Sequence, residues 1–401
     1  MPHVRTLVTE VVTGLGMLGA ESLDDVLARR SDVMHNLSPE TWAQLAAVKA
    51  GGAFDAEFHA AWENGRAFLA ARDGLRGRRP EVVEWKGSVR AAGDEVAPVD
   101  LRVDHVYLIS CKYLSNILFN ASPSSAFDAL LVGRSARPVG VASGDWYAEV
   151  APGPYQHLYE RVRASLATSP ERNGHSPAWP ATPPAPRPRF REPFRDAPAV
   201  VLPGFEGETP EEPLDASPGA ATPPPPSSPL AHLPERAVDL SSAQRAALAE
   251  RLRAGWPRDA KAAYTALADT VAQASAARWK AALEGSAGKG ESMLWRLLRM
   301  GSAPYYVLGS SPTRSLRLRI ATPWDWRQQF SLAGLEVFAQ RGGQPRVGWE
   351  AKVRVMASGE LRTVAGHVEV RWSHGRFGGP PEAKGYLDTP HDAVPGYFAL
   401  R

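Results

Sequence analysis

The stretch PVDLRVDHVYLISCKY, residues 98–113, decides how the first half of this chain is read. Its segments VDLRV (99–103) and HVYLISCKY (105–113) are rich in Val, Leu, Ile and Tyr and predict two short strands. Side chains alternate across a strand, so Ser110 and Lys112 share one face and Cys111 takes the other, toward the core. A hairpin of the two strands brings Asp100 beside Ser110 and Lys112.

Working outward, EVVEWKGSVR (81–90) predicts a further strand, with turn residues over 91–95. Residues 1–70 predict helices. Ser22 and Ser38 stand as N-caps, Pro39 takes a first helical position, and Gly51-Gly52 closes that helix. Phe54, Phe58, Ala61, Trp62 and Phe68 line one face of a longer helix. After Tyr113, LSNILFNASPSSAFDALLVG (114–133) reads as a return to helix, interrupted near Pro123. The order helix, strand, strand, strand, helix predicts an α/β sandwich.

Residues 50–130 resemble the PD-(D/E)XK, or restriction-endonuclease-like, nuclease superfamily. Its pattern is an Asp, often after a proline, on one strand, then an acid-x-Lys on the neighbouring apolar strand, then a helix. Pro98 and Asp100 match the first element, and VYLISCK, ending in Lys112, matches the second. The resemblance implies a Mg²⁺ or Mn²⁺ ion held by Asp100 and the backbone carbonyl of Cys111. It implies that Lys112 orients or deprotonates a water against a phosphodiester of DNA. Ser110 stands where the superfamily has Glu or Asp, and a neutral hydroxyl is a weaker ligand for a hard cation. The missing acid is then expected from elsewhere. Asp104, Glu84 and Glu57 are candidates, and Glu63 fits best the acid that the superfamily often carries on the helix before its core strands. The superfamily's frequent service against foreign DNA implies a role in defence.

The remaining chain divides by composition. The expected α/β domain covers 1–165. Much of the chain's proline, 36 residues in all, is clustered in 166–237, which is expected as a disordered or polyproline II linker. Residues 238–290 predict a helical hairpin, with Ser241 and Gln244 as a capping box. Residues 291–401 predict a mainly antiparallel β-domain. Within it, Arg371, Trp372, His374 and Arg376 combine cations with an aromatic ring, a mix suited to phosphate contact and base stacking. Residues 291–401 carry 15 basic and 9 acidic side chains, against 17 and 20 in residues 1–165, so a polyanion is expected at the C-terminal third.

Composition excludes several classes. With 44% apolar and 22% charged residues the chain reads as an ordinary globular protein. A single cysteine excludes an internal disulfide framework and fits a reducing cytoplasm. No secretory signal and no apolar run long enough to span a membrane are found. GSAGKGES (285–292) lacks phosphate-loop spacing, and no GxSxG is present. The expected activity is a metal-dependent nuclease acting on DNA. The alternatives are a catalytically inactive nuclease-fold scaffold that binds nucleic acid, and an adaptor that meets a protein partner through the Pro-rich segment or the C-terminal β-domain.

Overall fold

The computed structural model describes residues 4–87, 99–113, 117–131, 145–168, 229–285, 287–310 and 315–401. The chain opens with α1 (Val4–Gly16), α2 (Leu23–Arg29), β1 (Met34–His35), α3 (Pro39–Ala50) and α4 (Asp55–Ala70). The side chains of Ser22 and Ser38 accept from the amides of Asp25 and Thr41, satisfying donors that the first turn leaves free. Three strands follow, β2 (Val83–Trp85), β3 (Leu101–Val103) and β4 (Tyr107–Tyr113). The β3–β4 hairpin turns at Asp104 and His105, both at positive φ, with the Val106 amide bonded to the Val103 carbonyl. This is the twist a tight hairpin needs. Asp104 also accepts from the amides of Glu81 and Val82 and pairs with Arg78, so it serves the turn.

The expected helix after Tyr113 is replaced by β5 (Ile117–Ala121), and helix resumes only at α5 (Pro123–Phe127). Ile117, Leu118 and Phe119 favour a pleated surface, and a strand from far along the chain supplies the pairing. Then come α6 (Trp146–Val150), α7 (Pro152–Thr168), α8 (Ser242–Arg251), α9 (Lys261–Leu283) and α10 (Ala287–Leu297). The capping box at Ser241 and Gln244 forms at the start of α8. Most of the expected Pro-rich linker lies outside the described residues. Its described ends are the last turn of α7 and the segment from residue 229. The last part comprises β6 (Tyr305–Ser310), β7 (Ser315–Ile320), α11 (Pro323–Gln329), β8 (Phe330–Gln340), β9 (Arg346–Val355), β10 (Leu361–Arg371), β11 (Glu382–Leu387) and β12 (Tyr397–Ala399).

These strands form two sheets. One runs β1-β2-β3-β4-β6-β7-β12 and is mixed: β2, β3 and β4 are antiparallel neighbours, while β6 lies parallel to β4. The other runs β5-β11-β10-β9-β8 and is antiparallel throughout. Both sheets therefore combine strands from residues 1–165 with strands from 291–401, so the expected division at residue 165 cuts across shared sheets. Among the described residues, no helix is long and apolar enough to cross a membrane.

The mixed sheet is covered on both faces. Ile109 and Cys111 of β4, with Tyr306 and Leu308 of β6, pack into a cluster with α1 and α4. Tyr305 and Val307 point the other way, into a cluster shared with α9, α10 and the antiparallel sheet. Helix α1 is buried from Leu7 to Gly16 because it packs against the sheet, α4 and α2 together. The two helices touch backbone to backbone. A Cβ on Gly65 would lie 2.1 Å from the Thr13 carbonyl oxygen, and one on Gly16 would lie 2.4 Å from that of Trp62.

Candidate active site at the Asp100 hairpin

Asp100 sits just before β3, where the hairpin carries it to the middle of β4. Its Oδ2 accepts from the Ser110 hydroxyl at 3.2 Å and from the Cys111 amide at 2.6 Å. The β3–β4 register ends at Leu101 opposite Ile109, so the carboxylate caps the part of β4 that β3 no longer covers. Lys112 is half-buried on the same face as Ser110. The opposing position on β6 is Gly309, where a Cβ would lie 2.3 Å from the Lys112 carbonyl oxygen and 2.9 Å from its Cβ. Glycine is thus required for the strand carrying the lysine to approach. Pro98 lies outside the described residues.

Two further groups join the cluster from elements that the hairpin pattern does not include. Glu10 of α1 is 9% exposed and accepts from the Trp85 indole at 2.8 Å. Thr13, one helical turn on, hydrogen-bonds the Cys111 thiol, so α1 is seated on β4 at this point. Arg299 follows α10 and is 3% exposed. Its Nη1 donates to the Tyr305 hydroxyl at 2.9 Å, Tyr305 is hydrogen-bonded to Ser110, and Ser110 donates to Asp100. Ser110 is therefore the link between the aspartate and the Tyr305–Arg299 pair.

The electrostatics follow from burial. Glu10 is pushed up to about 8, first by desolvation and then by the charge of Asp100, against the opposing pull of Trp85 and Lys112. Burial also raises Asp100, although Lys112, the Cys111 amide, Ser110 and Arg299 all favour its ionised form. Lys112 is lowered, by desolvation and by the Arg299 guanidinium, with Asp100 opposing. Burial raises the Cys111 thiol well up, so it acts as a core group rather than as a thiolate.

The other acids considered for the missing position are engaged elsewhere. Glu63 sits on α4 with its side chain 40% exposed, 3.7 Å from Arg66. Glu84 pairs with Arg102 across β2 and β3 at 2.5 Å. Glu57 pairs with Arg5 at 3.1 Å, and Asp104 serves the hairpin turn. Among the described residues, Glu10 is the carboxylate whose ionisation the charge of Asp100 opposes. The sequence held one signal for it, an acid set among Val, Leu and Thr in TLVTEVVTGLG (6–16), where a solvated glutamate has no place.

Among the described residues, no group of three or more His, Cys, Asp or Glu is gathered as a metal site. Asp100 and Glu10 nevertheless suit a hard divalent cation, because two carboxylates are buried within reach of each other's charge. The Cys111 carbonyl adds a third oxygen, since the N–H and C=O of a strand residue leave on the same edge and the Cys111 amide already meets Asp100. Mg²⁺ needs only one or two carboxylates, with waters and substrate oxygens completing its shell.

The second group of expected residues lies elsewhere. Trp372, His374 and Arg376 line a groove of about 630 Å³ with Trp256, Tyr264 and Gln344. Arg371 is turned aside and lies 3.7 Å from Glu369. No protein-family model, curated protein or solved structure matches this chain.

Proposed function

We propose that this chain is a metal-dependent nuclease acting on DNA, centred on Asp100 and Lys112 with Glu10 as the second carboxylate. The observation that carries the reading is the Asp100 carboxylate seated on the Ser110 hydroxyl and the Cys111 amide of the strand that carries Lys112, with the buried Glu10 of α1 close enough for the charges of Asp100 and Lys112 to act on it. The resemblance to PD-(D/E)XK nucleases expects an acid on a helix before the core strands, and Glu10 on α1 answers it in place of Glu63. Buried like charges and a lowered lysine are the perturbations that catalytic sites build.

Asp100, Glu10 and the Cys111 carbonyl would hold Mg²⁺ or Mn²⁺. Such an ion supplies a Lewis acid that activates water and offsets the charge developing on a phosphodiester. The chain's own residues do the rest. Ser110 fixes the Asp100 carboxylate through a hydrogen bond. Lys112, held below its ordinary range, orients the attacking water and takes its proton. A second reading, a nucleic-acid-binding scaffold without catalysis, is favoured by Ser110 itself, which is fully buried where the superfamily has an acid.

A cleavage assay on plasmid and single-stranded DNA with Mg²⁺ or Mn²⁺ separates the two. Under the nuclease reading, Asp100→Ala and Lys112→Ala each lower the rate by about 10²–10⁴-fold, and Glu10→Gln weakens metal binding measured by calorimetry. Binding of DNA with no cutting under any metal favours the scaffold. Cutting that survives Asp100→Ala removes the site assignment.

A further inference from the structure

Among the described residues, Arg299 is the charged side chain with the most fully buried nitrogens that lack a hydrogen-bond partner. It is 3% exposed, yet only Nη1 has a hydrogen-bond partner, and Nε and Nη2 have none. Those two atoms form the side-on fork of a guanidinium, the edge that matches two oxygens of a phosphate or carboxylate. A buried polar group without a partner is costly, and more so when charged. Its Nη1 is held by Tyr305 of β6, and the next residues on that face of β6, Val307 and Gly309, stand opposite Ser110 and Lys112 of β4, so the guanidinium lies on the face of the sheet that carries the lysine.

The backbone adds an independent sign. The Arg299 amide bonds the Arg296 carbonyl and the Met300 amide bonds the Trp295 carbonyl, which makes a Schellman ending of α10 with Arg299 at its left-handed position, φ 60°. Glycine is the usual residue there, and a side chain in that conformation is strained. The fold alone therefore favours glycine at 299. Tyr305 and the Tyr397 hydroxyl, which donates to the Leu298 carbonyl at 3.0 Å, hold both the guanidinium and its backbone in place.

We propose that the Nε–Nη2 fork of Arg299 receives two oxygens of a phosphate group and seats it against Asp100 and Lys112. The inference rests on the nuclease reading only for the carrier of that phosphate, a DNA phosphodiester. Its alternative source is free inorganic phosphate. Arg299 would be a substrate-binding residue delivered by the last third of the chain to a site whose other groups lie in the first.

The test uses the full chain in EDTA, with inorganic phosphate and a short DNA duplex as separate probes in calorimetry. The variant is Arg299→Gly, which relieves the left-handed strain and so folds with an equal or higher Tm. Binding should fall by at least about tenfold. A residue serving only the fold would lower Tm when removed and leave phosphate affinity alone. Loss of DNA binding, with or without loss of inorganic phosphate binding, supports the inference with nucleic acid as the carrier. Arg299-dependent binding of inorganic phosphate by a chain that ignores DNA keeps the subsite and removes the nuclease reading. Unchanged affinity for both probes, no binding of either by wild type, or cleavage with unchanged KM and kcat in Arg299→Gly overturns the inference. In the last case the nuclease reading stands.

Discussion

The Asp100 cluster and the aromatic groove each hold an aspartate and an arginine, and they treat them in opposite ways. Asp145, beside the groove, accepts from the Tyr155 hydroxyl at 2.7 Å and the Tyr147 amide at 3.1 Å, with Arg245 at 3.9 Å. Arg376 places its guanidinium 5.0 Å over the Trp256 ring and donates to the carbonyls of Leu252 and Arg253. Phe377 packs among Tyr155, Tyr159, Trp256 and Trp372. The aspartate and the arginine there are occupied by their neighbours, and the Trp372 indole N–H is the one buried polar atom of the groove without a partner among the described residues. In the Asp100 cluster, two carboxylates repel, a lysine is lowered and half a guanidinium is empty. Satisfied polar groups explain how a fold holds together, whereas unsatisfied ones point to something that arrives later.

If that contrast is right, removing side chains should destabilise the groove and spare or strengthen the cluster. The largest effect is expected for Phe377→Ala, which empties a fully buried ring site and should cost about 3–5 kcal/mol in denaturant unfolding. A loss below about 1 kcal/mol would end the claim that the groove is structural.

The next effect is a pH dependence. Glu10 titrates near 8 in the fold and near 4.5 in the unfolded chain, so between these values the fold holds a proton that the unfolded chain has released. Its contribution is complete below about 4.5 and declines as pH rises toward 8, by up to about 1.4 kcal/mol per unit. Urea unfolding in EDTA across this range should show the decline, and Glu10→Gln should flatten it. Added Mg²⁺ should stabilise wild type more at pH 8 than at pH 5, since the ion favours the ionised carboxylates. A wild-type slope unchanged in Glu10→Gln would place the titration elsewhere.

A smaller and opposite change is expected for Lys112→Met. An apolar chain of similar length removes a desolvated charge, and stability should rise by about 1 kcal/mol while cutting is lost. Destabilisation would mean that Lys112 is held mainly by the attraction of the Asp100 charge. Smallest of all, Arg376→Gln should cost under about 1 kcal/mol, since its cation–π contact sits at a partly exposed rim. DNA affinity read in the same variant sharpens the comparison, because a large loss would move the groove from structure to binding.

The strand hairpin, its alternating faces and the serine caps of α2, α3 and α8 were legible because each rests on neighbours a few residues apart. The placement of Asp100 beside Ser110 follows from the same local rule. The stretch after Tyr113 was misread as helix because its partner β11 lies far along the chain, and a run such as ILF is ambiguous until that partner is known. Glu10 was not among the acids considered for the missing position, because a helix pattern alone does not show which helix packs its acid on the sheet; the Gly16–Gly65 crossing of α1 and α4 leaves Glu10 against Trp85 and Glu63 at the surface.

By itself, then, the sequence determined the β3–β4 hairpin, the capped starts of α2, α3 and α8, the face on which Lys112 stands and the aspartate that meets Ser110 on that face. Periodicity, caps and turns act within a few residues and leave a local imprint. The tertiary structure alone decided that β6 continues the sheet beside β4, that Gly309 makes room for the lysine strand, and that Glu10 and Arg299 complete the cluster. Those choices depend on which surfaces bury each other most fully, a property of the whole packed chain that no short stretch of residues carries.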